Sequence, residues 1–572
     1  MQKDEKGYWC IVLNNVSADT CYKYVINNLS ERPDPASFFQ PKGVHGYSQV
    51  IDHSGFHWTD KKWKGIPLEK MIVYELHAGT FTTEGTFEAI ISLLGRLLKL
   101  GINAIEIMPV AQFPGERNWG YDGAYPFAVQ NSYGGPVGLK KLVNVCHSKG
   151  IAVILDVVYN HLGPEGNYLE NFAPYFTDKY KTPWGKAINF DDFYSYGVRD
   201  FFIQNALYWF EYYHVDALRL DAIHSIFDIS GKHILSELSE KVDELSKLKK
   251  RKFYLIAESD LNDVKIVRRR NQGGYGIDAQ WCDDFHHALH ALLTYESIGY
   301  YKDFGKIEHL VKAMKEGLVY SWQYSEFRRR YYGSSSKDVP AHQFVVFSQN
   351  HDQVGNRIFG ERLPSLVDFE GLKLAAGMVI FSPYIPLLFM GEEYAEDAPF
   401  LYFVSHSDPQ LIEAVREGRK KEFRSFKWNK WHKEPLDPQN VDTFLASKLK
   451  WEKLSEVKHR TIFNFYQLLI ELRKGIPALS NLDKNNLEIS TVKKKKVIIF
   501  YRWYAKSKVF LIANFNRDNT NFSVSIPDGS WKKIIDSSEE KWLGPGSLLT
   551  DTIKGRNQVT LKPLSFAMYK MR

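Results

Sequence analysis

The run Leu139-Lys-Lys-Leu-Val-Asn-Val-Cys-His-Ser-Lys-Gly150-Ile-Ala-Val-Ile-Leu-Asp156-Val-Val-Tyr-Asn-His161 decides the reading of this chain. Its first half carries apolar residues at helical spacing, and Gly150 stands where a helix ends, since glycine adopts the left-handed cap conformation freely. Ala152–Val158 is then almost wholly apolar and bounded by breaks, the pattern of a strand buried on both faces. Polar groups, Asp156 and Asn160-His161, gather at its C-terminal end.

The same unit recurs outward in both directions. Ile72–Leu76, Ala104–Val110, Ala217–Leu220 and Phe253–Ala257 read as buried parallel strands, and Ala279–Trp281, Phe344–Phe347 and Ile385–Met390 complete a set of eight. Helical patterns lie between them, as at Ile90, Leu94, Leu97, Leu98 and Gly101. Strand–helix alternation of this kind predicts an α/β fold, a (β/α)8 TIM barrel spanning residues 65–486. The connection after the third strand, about 160–196, is long and rich in Gly, Pro and aromatics, which predicts a small lid subdomain. Residues 1–64 hold short β-like pieces with turn signals at Arg32-Pro-Asp-Pro35 and Gln40-Pro-Lys-Gly43. Residues 487–572 hold strand runs at Val497–Trp503, Val509–Phe515 and Phe566–Tyr569, a C-terminal all-β domain.

Bulk properties exclude more than they assign. At 572 residues several domains are expected, and 44% apolar with 25% charged residues is ordinary for a globular protein. The 74 basic and 67 acidic groups leave only +7, and the basic tracts (247–252, 268–270, 328–330 and 493–496) read as solvated faces, so no nucleic-acid partner is expected. Cys10, Cys21, Cys146 and Cys282 form neither a CxxC nor a zinc spacing. The polar N-terminus and the lack of a long apolar run predict a cytoplasmic protein with no membrane partner. Aromatics reach 15%, which suits stacking on sugar rings as well as large cores.

A (β/α)8 barrel carries its site at the C-terminal strand ends. There the sequence places Trp119-Gly-Tyr-Asp122, Asp156 to His161, Arg219-Leu-Asp221 with His224, Glu258, and Asn350-His-Asp352. An acid ending an apolar strand is costly unless paired or functional, and three on different strands point to chemistry. Retaining glycoside hydrolysis needs one ionised carboxylate to attack and one protonated carboxyl to feed the leaving oxygen. Arg219, two residues before Asp221, would keep that carboxylate ionised and oriented. Glu258, crowded by acids and desolvated, would suit the proton donor. Asp352 would grip ring hydroxyls as the sugar flattens.

Asp156–His161, Ala217–His224, Ile256–Ser259 and Phe347–Asn356 resemble, in order, the four motif regions of the α-amylase superfamily. The resemblance implies Asp221 as nucleophile, Glu258 as acid/base and Asp352 as transition-state stabiliser. It implies Arg219, His161 and His351 as contacts to the sugar whose bond is cut, and Tyr121 as its stacking platform. Gln280-Trp-Cys-Asp-Asp-Phe-His-His287 is similar to a segment of the maltooligosyltrehalose trehalohydrolases. So are Pro33-Asp-Pro-Ala-Ser37 through Gln40-Pro-Lys-Gly-Val-His45, Gly163-Pro-Glu-Gly-Asn167, Met390-Gly-Glu-Glu-Tyr394 and Val415-Arg-Glu-Gly-Arg-Lys-Lys-Glu-Phe423. That family cuts the α-1,4 bond next to a terminal trehalose unit. The likeness implies substrate-binding roles for Arg219 to His224, for Asp283, Asp284, Phe285, His286 and His287, and for His351, Gln353 and Asn356.

His286, His287 and His290 form a histidine cluster, but hydrogen bonding explains them more simply than a metal, and neither residues nor resemblance call for a metal or cofactor. The family begins with a glycan-binding β-sandwich, and this chain resembles it only from about Gly7-Tyr-Trp-Cys-Ile-Val12, a partial sandwich with exposed sheet edges. Branching, debranching and broad α-amylase activities share the catalytic three and remain alternatives. A non-catalytic glycan-binding protein of amylase fold is disfavoured because Asp221, Glu258 and Asp352 are all present.

Overall fold

The computed structural model describes residues 1–425 and 435–572. Eight parallel strands close into a barrel: β1 (Val73–Leu76), β2 (Ala104–Ile107), β3 (Ala152–Val157), β4 (Ala217–Leu220), β5 (Tyr254–Ala257), β6 (Ala279–Trp281), β7 (Phe344–Val346) and β8 (Ile385–Phe389). Each lies inside the run expected for it, β2 stopping three residues short at its C-terminal end. The residues left over at the C-terminal ends belong to the loops that build the site.

The barrel interior is layered by polarity. Its lower part is filled by Val73, Ala104, Ala152, Ile154, Ala217, Ile256, Ala279, Val345 and Leu387, with Trp281 and Phe347 above. Burying each large side chain there contributes roughly 1.5–3 kcal/mol. Higher up, Glu75, Glu106, Asp156, Arg219 and Gln280 are all buried. Adjacent strands hold them side by side, Glu75 opposite Glu106 and Asp156 opposite Arg219. Between the strands, charge is thus confined to the end where the site loops meet.

The outer helices follow their apolar stripes. The helix Phe87–Leu100 buries Phe87, Ile90, Leu94, Leu97 and Leu100; Thr86 caps its start by accepting from the Ala89 N–H, and Gly101 ends it at φ 101°. The helix Gly135–Ser148 runs one residue short of the expected cap: Lys149 takes that place, and Gly150 follows in the left-handed conformation at φ 77°.

Between β3 and the helix Ser195–Tyr212, the long connection folds as a short 3-10 turn, Leu169–Asn171, and an antiparallel hairpin, Phe176–Thr182 with Gly185–Ile188. At the N-terminus, the expected partial sandwich consists of three separate two-stranded ladders, Gln2–Lys3 with Trp9–Cys10, Cys21–Tyr22 with Ser48–Gln49, and Tyr24–Ile26 with Ser30–Arg32. Apolar residues in the connections beside them are bare: Val12 and Leu29 are each 89% exposed.

The C-terminal region is a six-stranded antiparallel sheet in the order Leu487–Val492, Val497–Tyr504, Ser507–Asn514, Ser565–Met571, Trp531–Asp536 and Thr552–Ile553, with a separate pair, Thr520–Ser525 and Arg556–Leu561. Lys493–Lys495, in one of the basic tracts, form a charged turn, and Lys496 completes it at φ 48°. Buried Arg502 joins this sheet to the barrel by donating to the carbonyls of Phe381, Ser382, Leu479 and Asn481.

Candidate active site

Arg219 organises the site. It leaves β4 fully buried, its guanidinium 4.3 Å from the centre of the Trp281 ring. Its Nη1 donates to Asp156 Oδ2 at 2.7 Å and to Asp221 Oδ1 at 2.9 Å, and its Nη2 lies 3.5 Å from Glu258 Oε2. Three carboxylates from three consecutive strands thus share one cation. A fixed planar donor set is what arginine supplies and lysine does not.

The catalytic candidates sit in different surroundings. Glu258 follows β5, and its Oε2 accepts from the Ala222 N–H at 2.5 Å. Burial pushes its pKa well above the usual carboxyl range; Arg219 opposes the shift, and the Asp221, Asp352 and Asp283 charges add to it. A carboxyl held protonated beside an ionised neighbour is the division of labour that acid-assisted displacement requires. Asp221 keeps its hydrogen bond to Arg219. Asp352 opens the short helix His351–Gly355; its side chain is 37% exposed, and Asn356 donates to it at 3.3 Å.

His351 and Tyr121 form one wall. Their rings stack with centroids 5.2 Å apart, and Tyr121 Oη lies 2.8 Å from His351 Nε2 and donates to Asp156 at 2.6 Å. Burial opposes a charge on His351, but the Asp352 and Glu75 carboxylates outweigh it and push its pKa up to about 9. Burial also raises Asp156, to about 7, against the pull of Arg219.

His161 stands on the lid side. Its ring stacks on Trp184, at the tip of the lid hairpin, 4.4 Å apart and 8° from parallel. Burial lowers its pKa, with Asp221 and Asp122 opposing. On the other side, His224 Nδ1 receives the Asp260 N–H at 3.4 Å, and Asp260 is gripped by both terminal nitrogens of Arg328. Asn356 is held from outside by Arg419, which donates to Asn356 Oδ1 at 3.2 Å and to the Gly355 carbonyl at 3.1 Å. Arg419 lies in the run Val415–Phe423, within the helix Pro409–Ser425; the Phe423 side chain lies outside the described residues. Gln353 starts from a backbone bond to Asn350 Oδ1 and leaves its own Oε1 buried without a protein partner.

The segment 283–287 divides by helical periodicity. Asp283 faces the acids: burial raises its pKa to about 7, and Asp260 and Asp352 add to the effect. His287, one turn on, stacks on Tyr300 at 4.7 Å. Between them the sequence expectation needs correction. Asp284 is buried and spent on the Asn262 amide and the Val319 and Tyr320 N–H groups. Phe285 lies in the core, and His286 is buried between the Ser348 carbonyl and Tyr301 Oη. The side chains of these three are engaged within the protein behind Asp283. Among the described residues, no group of three or more His, Cys, Asp or Glu is arranged to hold a metal ion.

The structure adds residues with no assigned role in the sequence reading. Glu75, Trp281, Trp184 and the Asp260–Arg328 pair all touch the residues singled out above. Glu75 carried a readable signal, a carboxylate inside the apolar run Ile72–Leu76. Arg328 carried none, because 68 residues separate it from Asp260.

Comparison with known proteins bears on the family and the fold. Residues 56–206 match the α-amylase catalytic domain and residues 490–572 the α-amylase C-terminal all-β domain. A malto-oligosyltrehalose trehalohydrolase from Saccharolobus solfataricus is 53% identical over 474 residues, which is 83% of this chain and 81% of that protein. The chain belongs to the malto-oligosyltrehalose trehalohydrolase family. The Arthrobacter ramosus member is 43% identical, over 83% of each chain. A 1,4-α-glucan branching enzyme from Pseudoalteromonas atlantica reaches only 26%, over all of this chain and 78% of its own. In structure, a Salmonella typhimurium protein described as an α-amylase superposes with a TM-score of 0.87 at 36% identity, covering 98% of this chain and 92% of its own. A pullulanase from Anoxybacillus sp. LM18-11 shares the fold, with a TM-score of 0.72 at 18% identity, over 100% of this chain and 82% of its own.

Proposed function

We propose that the protein is a retaining glycoside hydrolase that cuts the α-1,4-glucosidic bond next to the terminal trehalose of maltooligosyltrehalose and releases trehalose. The observation that carries the mechanism is the single Arg219 guanidinium reaching Asp221 at 2.9 Å and Glu258 at 3.5 Å. It holds nucleophile and acid close together, as a double displacement requires. The family supplies the choice of bond.

In the first step the Asp221 carboxylate attacks the anomeric carbon, the bond to the trehalose oxygen breaks, and Glu258 delivers its proton to that oxygen. Trehalose leaves, and the glucan remains as an ester on Asp221. Glu258, now ionised, takes a proton from water; the water oxygen bonds to the anomeric carbon, and Asp221 is released. Asp352 and protonated His351 hold the ring hydroxyls while positive charge develops on the ring. Tyr121 and His161 bound the same sugar, and Arg219 orients Asp221 for attack through its hydrogen bond. His224, Asp283, His287, Gln353 and Asn356 line the approach.

The substrate class is α-glucan. No described helix is long and apolar enough to cross a membrane; the cytoplasm is the compartment this proposal assigns to the reaction. Incubation with maltotriosyltrehalose and, separately, maltopentaose tests the assignment. Trehalose plus maltotriose from the first, with the second cut far more slowly, supports it. Equal shortening of both would make the protein a broad α-amylase.

A further inference from the structure

Beneath the wall formed by His351 and Tyr121 lies a group that the mechanism does not use. Glu75 leaves β1 1% exposed, and its two oxygens divide over one residue: Oε2 accepts the His351 backbone N–H at 3.1 Å, and Oε1 meets His351 Nδ1 at 2.5 Å. The far side of the imidazole is equally constrained. Tyr121 Oη spends its proton on Asp156, so towards His351 Nε2 it can only accept, at 2.8 Å. Asp352 Oδ2 lies 3.5 Å from the same nitrogen. Both ring nitrogens therefore face acceptors, which only the doubly protonated ring satisfies.

We infer that Glu75 is a positioning residue that fixes His351 as an imidazolium at the base of the sugar-binding cleft, and so sets the pH range over which the cleft holds its substrate.

The other groups around His351 do not replace it. Arg219, from β4, is a cation and disfavours a second positive charge nearby. Trp119 and Trp281 present rings at 5.7 and 6.0 Å. His77, after β1, is engaged by Thr80 and the Asn118 carbonyl, and burial lowers its pKa to about 3, so it brings no charge. Asp156 is spent on Arg219 and Tyr121. Glu106, beside Glu75 on β2, has both oxygens buried without a protein partner; burial, followed by the Glu75 and Asp156 charges, raises its pKa well above the carboxyl range. That shift disfavours its anion, and the carboxylates that reach the His351 ring are Glu75 and Asp352.

This inference builds on the proposed reaction only for its kinetic readout; a histidine titration tests it without substrate. In protein carrying 13C-labelled histidine rings, with His351→Gln used to assign the signal, His351 should stay protonated through pH 8 and titrate near pH 9. In Glu75→Gln the charge is gone, and one of the two acceptor oxygens is replaced by an amide NH2 that can bond Nδ1 only once that nitrogen has lost its proton. The titration, and with it the alkaline limb of kcat/KM, should fall by about one pH unit or more, a tenfold loss of proton affinity. Glu106→Gln replaces a neutral group by a neutral one and should leave the titration in place. A wild-type His351 that is neutral at pH 7 overturns the inference, even if Glu75→Gln fails to fold. So does an unmoved titration in folded Glu75→Gln, or an equal shift in Glu106→Gln.

Discussion

Replacing Arg219 by Met keeps the length of the buried stem and removes the charge. Asp156, Asp221 and Glu258 are then left around a cavity with no cation, and Trp281 loses the guanidinium above its ring. Removing one partner from a buried charge group costs about 3–5 kcal/mol. The loss depends on pH, and its sign follows from the acids. Burial already raises Asp156, to about 7, and Glu258, while Arg219 opposes both; without Arg219 both rise further. An acid raised in the folded state contributes stability that is complete below its unfolded pKa, about 4, and lost as pH rises through the folded value. The deficit against wild type should therefore be small near pH 4.5 and largest near pH 8. If about 2 kcal/mol of the loss is expressed in the transition state, kcat/KM falls about 30-fold. Melting curves at the two pH values and kcat/KM on maltotriosyltrehalose measure both effects. A variant that melts within 1–2 °C of wild type at pH 8 and keeps kcat/KM within about threefold would refute the reasoning.

Asp221→Asn removes the attacking charge at nearly constant volume, so turnover should fall to background in a protein that still unfolds cooperatively; wild-type turnover would remove Asp221 from its role. At the opposite end of the barrel, His147 bridges Asp60 at 2.8 Å and Asp216 at 3.0 Å. Burial opposes its charge, but hydrogen bonds to Asp216 and Asp60 prevail and raise its pKa. Its contribution is complete below its unfolded pKa of about 6.5 and lost as pH rises through the folded value. His147→Leu should therefore lower Tm more at pH 5.5 than at pH 9, and an equal loss at both would deny the charge a role. Gly163 lies where a Cβ would come 2.1 Å from the Asp122 carbonyl oxygen. Gly163→Ala should push the loop after β3 away from the Tyr121–Asp122 turn and raise KM by severalfold or more. An unchanged KM would show that this contact does not shape the cleft.

The barrel was legible because its strands are buried on both faces: Ala152–Val157 or Ile385–Phe389 cannot be read as amphipathic surface elements. The catalytic acids were legible because each ends such a strand, where an unpaired carboxylate is costly. The segment Asp283–His287 was read too generously. Resemblance named all five residues, whereas a 3.6-residue period turns Asp283 and His287 to one side and sends Asp284, Phe285 and His286 elsewhere. Contacts that cross the chain were not legible at all. The stacking of Trp184 on His161 depends on how a hairpin folds back, and Arg328 reaches Asp260 only after the hairpin Ser321–Ser325 with Arg330–Gly333 has formed. Glu75 lay between these cases. Its charge was visible in the strand, but its partner, 276 residues away, was not.

The most direct test of the central claim is 1H NMR of maltotriosyltrehalose in the first moments of hydrolysis, before mutarotation. The account predicts trehalose together with maltotriose whose new reducing end is α. A β product would mean that Asp221 acts through water and not as the nucleophile; products without trehalose would mean that the cleft selects a different bond.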